Sequence, residues 1–331
     1  MQLRPEGHPI HTRALAVLIT AAAGAQLRAA GYVLDLRKRG FVPVGSDLQG
    51  AGIIHHMTLA ITVEPASGCI VALETAQPTV AFEPSESTLG ESCRDPVGRL
   101  EALVGLTPAG AGERVRDAFG GPLGCSHLLA LAHFLFATAD GALGATEPPE
   151  RFAVGQRIFR RDLVIDGSEC TENEADVVAQ QSDLFYAPSP VATRPMRRFA
   201  RHDELRVQTR LVGWPAVIED IAGAWRSRSP EDFVEAGWQR PAAFEALRGV
   251  SLGKGGAAAI RQALAELPAA RDALLMIGPA LIQCRASFPD KWLNGVATEA
   301  GHPGLTGIAD SCYMWRRGGG LERVREGLAE K

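Results

Sequence analysis

The chain is expected to fold as an α+β protein, an internally duplicated pseudo-dimer with antiparallel sheets and helices packed on one face. Three observations lead there. Alternating apolar segments precede helix-compatible ones within the first 145 residues. The same order, strands first and helices last, recurs between about residues 155 and 284. Short blocks also repeat in register: Glu101-Ala-Leu-Val-Gly-Leu-Thr107 returns as Glu245-Ala-Leu-Arg-Gly-Val-Ser251, Glu113 to Phe119 as Ala258 to Leu264, and Gly124 to Ala130 as Ala269 to Leu275. The division that follows is a first repeat over 1–145, a second over 146–284, and an extension over 285–331, with the boundary in the Pro- and Gly-bearing stretch Gly141 to Pro149.

Taken in order, residues 12–20 and 32–37 read as strands, with Ala21 to Ala30 open to strand or helix. Met57 to Val63 alternates cleanly, Pro65-Ala-Ser-Gly68 is a turn, and Ile70 to Thr75 returns, which is a hairpin pattern. Asp95-Pro96 opens a helical stretch over Val97 to Val104, a short helix follows near 112–119, and the turn Gly120-Gly-Pro122 hands over to the apolar run Leu128 to Ala137. In the second repeat, 160–166, 176–186 and 205–211 read as strands and the repeated blocks as helices. The extension holds Trp292, the string Cys312-Tyr-Met-Trp315, and an amphipathic last helix after Gly318-Gly-Gly320.

Length and composition narrow the function classes. At 331 residues the chain can bury two cores of ordinary size. A net charge of −4 with no basic run argues against a nucleic-acid or anionic-membrane partner. The start, Met1-Gln-Leu-Arg-Pro-Glu-Gly7, lacks the pattern of a signal peptide, and no segment reads as a spanning helix. Six cysteines at long spacings, with no CxxC pair, fit a reduced, cytoplasmic protein.

The candidate chemistry lies in the first repeat. Cys125 and His127 fall in the first turn of a helix, where free N–H groups favour a thiolate or an anion. His55 and His56 sit at the entry to the hairpin and Cys93 at the start of the first helix. If these places converge, His55, His56, Cys93, Cys125 and His127 make an N/S ligand set, suited to zinc first. Without metal, Cys93 or Cys125 is a nucleophile with His127 or His55 as base. Buried structural thiols are the competing reading. In the second repeat the register replaces His55 and His56 by Asp203 and Glu204, Cys93 by Gly237, Cys125 by Ala270 and His127 by Asp272. The apolar frame is repeated and the Cys/His set is not, which favours a functional role for the set. His11 and Arg13 flank a strand start and are candidate ligands for a substrate carboxylate or a phosphate, with a solvated strand end as the favoured competing reading. His133, inside the apolar run, reads as a core histidine.

Two resemblances add to this reading. The ordered residues His11-Thr-Arg13, Ile54-His-His-Met57, Cys93 ahead of Leu103-Val-Gly-Leu106, and Gly124-Cys-Ser-His-Leu128 resemble the bacterial family catalogued as domain of unknown function twenty-eight eighty-nine, over about residues 8–140. An acidic residue is expected at the place of His56, and the degenerate second copy is a further departure. Members look like companions of catabolic genes, aromatic ones included, which implies an enzyme. The order of hairpin, Cys93 and Cys125 is also similar to the U-type iron–sulfur scaffold proteins, with a histidine in place of one of three thiolates. The combined expectation is a cytoplasmic hydrolase or lyase acting on a small organic substrate, an aromatic acyl or keto acid compound, with zinc as the candidate cofactor. Its partner is that small molecule, with a homodimer allowed; a non-catalytic metal- or ligand-binding protein is the alternative.

Overall fold

The structure is a computed structural model and describes residues 1–44, 47–171, 173–189, 195–286 and 309–329. Eight long strands form one antiparallel sheet in the order β10-β9-β8-β7-β1-β2-β5-β6. In the first half these are β1 (His8–Ala21), β2 (Leu27–Arg37), β5 (Gly52–Glu64) and β6 (Cys69–Thr79); a small ribbon, β3 (Val42–Val44) with β4 (Asp47–Gln49), interrupts them. The second half contributes β7 (Arg157–Thr171), β8 (Glu174–Tyr186), β9 (Phe199–Val212) and β10 (Val217–Arg228). The architecture is therefore α+β.

Period-two alternation explains the two faces. On β1, Leu15, Val17 and Ile19 are buried, and their neighbours on β2 and β5 at Ala29, Val33, Met57, Leu59 and Ile61 are buried with them. The helices cover this face: α1 (Pro108–Phe119) and α2 (Ser126–Ala145) on the first half, α3 (Gly256–Ala263), α4 (Pro268–Leu275) and α5 (Ile277–Ala286) on the second. The opposite face carries half-buried Thr12, Thr58 and Thr62 and the ion pairs Arg160–Asp162 and Arg226–Glu204.

Several boundaries differ from the sequence reading, each for a local reason. The stretch Ala21 to Ala30 is a tight turn at residues 23–25 followed by strand, because β2 must return beside β1. Val97–Leu103 is 3-10 rather than α-helical. Helix α1 begins earlier than expected, at Pro108, since the Thr107 side chain accepts from the Gly110 N–H and proline suits the first turn. Strand β10 closes the sheet and has no counterpart among the predicted elements. Among the described residues, α2 is the helix long and apolar enough to cross a membrane by length and composition, a property the sequence reading did not assign; 56% of its most apolar window is buried within this fold.

The two halves share an order of four sheet strands, a 3-10 segment (97–103 and 242–247) and helices, and β1 and β7 join them at the middle of the sheet through Leu15 opposite Leu163. The extension returns over the first half. Tyr313 N–H donates to the Gly124 carbonyl, Arg316 and the Gly320 N–H both reach Glu91, and Trp315 meets Phe82 edge to face. A final helix, α6, spans Gly320–Ala329. Trp292 lies outside the described residues.

Candidate functional site

The same alternation that buries the apolar rows puts charged residues on the helix-facing side at one end of the sheet. His11 and Arg13 precede Leu15 on β1, Asp35 and Arg37 follow Val33 on β2, and His55 precedes Met57 on β5. Asp35 stands opposite Arg13 on one side and His55 on the other. From above, the first turn of α2 lowers His127 onto them. Arg13 is 1% exposed, Asp35 0%, His55 3% and His127 9%, so the group is taken out of water as a unit.

Arg13 holds Asp35 by a fork: Nε donates to Oδ1 at 2.8 Å and Nη2 to Oδ2 at 3.0 Å. His11 Nε2 lies 3.2 Å from Oδ1, without the angle of a hydrogen bond. His55 Nδ1 is 3.5 Å and His127 Nε2 3.6 Å from Oδ2, and the two rings stack with centroids 3.5 Å apart. Among the described residues, Asp35, His55 and His127 are the group of three potential ligands whose donor atoms all lie within 4.8 Å of one another. The 3.5 and 3.6 Å separations are long for hydrogen bonds. They match ligand atoms that share one tetrahedral ion, since bonds of about 2.1 Å place neighbouring ligands about 3.4 Å apart. An ion taken by both imidazoles opens their stack, because each lone pair lies in its own ring plane.

Charge states favour the same chemistry. Burial works against the Asp35 carboxylate, yet the Arg13 guanidinium first, then the close rings of His11 and His55, outweigh it and hold the carboxyl well below its usual range. Burial pushes His11, His55 and His127 down, with the neighbouring His55 adding to the effect on His127. One anionic oxygen donor and neutral imidazoles are the protonation states that metal binding requires. Both ring nitrogens of His11, Nδ1 of His55 and Nη1 of Arg13 are buried without a hydrogen-bond partner.

The thiols stand beside this group. Cys125 is the N-cap residue of α2, with Sγ 3.8 Å from His127 Nδ1 and 3.8 Å from Met57 Sδ. Burial pushes its thiol up to about 12. Cys93, in the turn before the 3-10 segment, is buried, and burial followed by the nearby Cys125 raises its thiol well above the usual range. Neither thiol belongs to the three-ligand group: an apolar pocket stabilises the neutral thiol, which is a poor metal ligand. His56 points to the opposite face of β5, edge-on to Tyr32, as alternation requires after His55. The ligand set expected from sequence is thus divided, and Asp35 takes the place given to the thiolates. Its signal was present in Tyr32-Val-Leu-Asp-Leu-Arg37, where period two puts a carboxylate on the buried face with Val33.

The second half repeats the central pair. Arg161 Nε donates to Asp183 Oδ1 at 2.9 Å and Nη2 to Oδ2 at 2.6 Å, the same fork as Arg13 on Asp35 and the same 22 residues apart. Asp203 faces Asp183 across the sheet as His55 faces Asp35. Asp272 occupies the place of His127 and lies 3.3 Å from Arg161 Nη1, which also donates to Thr138. Carboxylates thus stand near this fork where imidazoles stand near the first, and Arg161 is engaged on every nitrogen.

A cavity of about 1210 Å³ is lined by residues of both halves, among them Arg13 and His127 from the first and Arg161, Asp183, Asp203 and Asp272 from the second. Apolar side chains, Phe134 and Phe159 among them, also line it. No curated protein and no solved structure matches the chain. Residues 11–140, which carry Arg13, Asp35, His55, Cys93, Cys125 and His127, match the model of a family described as Protein of unknown function (DUF2889).

Proposed function

We propose that Asp35, His55 and His127 hold one divalent ion, zinc first, and that the protein is a cytoplasmic catabolic enzyme cleaving a small organic substrate by hydrolytic or lyase chemistry. The observation that carries this reading is the group of three deprotonated ligands beside a cavity of organic-substrate size. Three protein ligands leave a coordination position for substrate or water, whereas a closed four-ligand site with no cavity would suit a purely structural or storage role. A bound ion polarises a carbonyl or activates water. Arg13 orients Asp35 through two of its nitrogens, and its unpartnered Nη1 is the donor available to a substrate carboxylate. An aromatic acyl or keto acid compound fits the apolar walls and this donor. We read the likeness of the halves as an internal duplication in which the second copy has lost its histidines and serves as the far wall of the pocket.

A second reading rests on the line Cys125 Sγ, His127 and Asp35 Oδ2, with steps of 3.8 and 3.6 Å. This is the order of nucleophile, base and orienting carboxylate. The thiol is buried and held protonated, so it needs His127 to remove its proton as substrate arrives.

The experiment is metal content of protein purified without chelator. About one equivalent per chain is expected, lost in His127→Ala and kept in Cys93→Ser and Cys125→Ser. Metal-free wild type whose Cys125 is alkylated by iodoacetamide, with protection by His127→Ala, would replace the metal reading with the thiol one.

A further inference from the structure

The cavity has a second polar district that the metal group does not use. Arg116 on α1, His133 on α2 and Arg261 on α3 all line it, so three helices drawn from both halves contribute one cationic or protonatable group each. Neither guanidinium has a hydrogen-bond or ion-pair partner among the described residues, and the His133 ring makes no hydrogen bond. Glu113 and Asp140 line the same cavity without pairing with either arginine. Elsewhere in this protein the arginines along the cavity are engaged: Arg13 with Asp35, Arg161 with Asp183 and Asp272, Arg271 with Asp272, Arg201 with Asp203. His133 is half-buried instead of being a satisfied core histidine, and burial, then Arg261 and Arg116, lower its affinity for a proton. Arg116 and Arg261 line the cavity with His133 and both oppose a proton on its ring, an effect that an anion bound among the three reverses.

We infer that Arg116, His133 and Arg261 form an anion subsite that takes the phosphoryl end of the substrate. The inference rests on the reading of the cavity as a substrate pocket. Guanidinium groups bind phosphoryl oxygens through paired N–H donors, and histidine adds one more donor. His133 follows His127 by six residues on α2, a rise of about 9 Å along the helix axis. His127 and Arg13 line the same cavity, so a substrate anchored here by its phosphoryl group extends within it toward the Asp35 group, past apolar side chains such as Phe134. The substrate class is an organic phosphate or phosphorylated acyl carrier with its reactive carbonyl at the end away from the phosphoryl group.

The test is calorimetric titration of the full-length protein with inorganic phosphate, with succinate as the carboxylate control. Phosphate is expected to bind wild type and to bind the double variant Arg116→Ala, Arg261→Ala at least about tenfold more weakly, about 1.4 kcal/mol. Both arginines are exposed, so the double variant keeps its fold, checked by its unfolding midpoint. His127→Ala separates the two proposals: phosphate binding persists in it if the subsite is independent of the metal group. Phosphate binding that is absent from wild type, or equal in the double variant, overturns the subsite. Succinate binding as tightly as phosphate overturns the phosphoryl assignment. Absence of metal from wild type, with phosphate binding still dependent on the arginines, overturns the metal reading and leaves the subsite standing.

Discussion

At the scale of single residues, Arg13 and Asp35 decide the character of the site. Each is a full charge at the sheet surface beneath helices, and each is tolerable there because the other answers it through two hydrogen bonds. Arg13→Met leaves Asp35 uncompensated, and the expected cost is about 3–5 kcal/mol of stability near neutral pH, measured by urea unfolding of chelator-treated protein. The sign with pH follows from the shifts. Asp35 is depressed below 3.8 in the folded wild type, so its contribution is present above that value and lost as pH falls below it; the penalty in Arg13→Met therefore shrinks on acidification. His11, His55 and His127 are depressed below 6.5, so stability in both proteins begins to fall once pH drops under about 6.5, where the unfolded chain takes up protons first. A penalty that stayed constant down to pH 3 would mean that Asp35 is not the group answering Arg13. Asp35 and His127 are 92 positions apart in the chain, and no local spacing connects them.

At the scale of elements, the start of α2 places both Cys125 and His127, and Gly124 sets that start. Gly124 is packed so closely on Phe119, at the end of α1, that a methyl there would run into the Phe119 carbonyl and ring. Gly124→Ala must therefore push the first turn of α2 away from α1 and shift His127 relative to Asp35. The expected loss is roughly 1–3 kcal/mol of stability from overpacking, together with weaker metal retention. Gly105→Ala is the control: its backbone has φ +90°, which costs stability, yet it lies in the turn that follows residues 97–103, away from the site. It should lower the unfolding midpoint without loss of metal. Equal metal retention in both variants would mean that the position of α2 does not govern the site. The turn Gly120 to Gly124 was legible as the handover into a helix, because Gly and Pro punctuate in ways that depend on nearest neighbours. The close approach that makes Gly124 necessary was not, since it depends on where α1 ends.

At the scale of the molecule, one sheet crosses the boundary at residue 145, and helices of both halves line one cavity. The second half supplies the partner of β1 along most of its length, from His8 to Thr20. A fragment of residues 1–145 exposes that edge together with the cavity wall and is expected to aggregate or self-associate, read by size-exclusion chromatography. A monodisperse monomeric fragment that retains metal would show that the first half is complete without the second. The arrangement also separates two uses of one design. Around Asp35 the Arg–Asp fork is surrounded by imidazoles with unused nitrogens, whereas at Asp183 the arginine is fully engaged, by Asp183 itself, Asp272 and Thr138.

Alternation and repeated blocks in the sequence determined the α+β class, the strand-then-helix order of each half and the turn before α2, since these rest on periodicities within a dozen residues. The pairing of Asp203 with Asp183, matching that of His55 with Asp35, agrees with the register read from the repeated blocks. Tertiary structure alone decided that Asp35 is the third member of the group, that His56 faces away, and that the buried thiols lie beside it. Strand register and helix approach bring β1, β2, β5 and α2 to one point, and burial then sets which of their groups keep a charge.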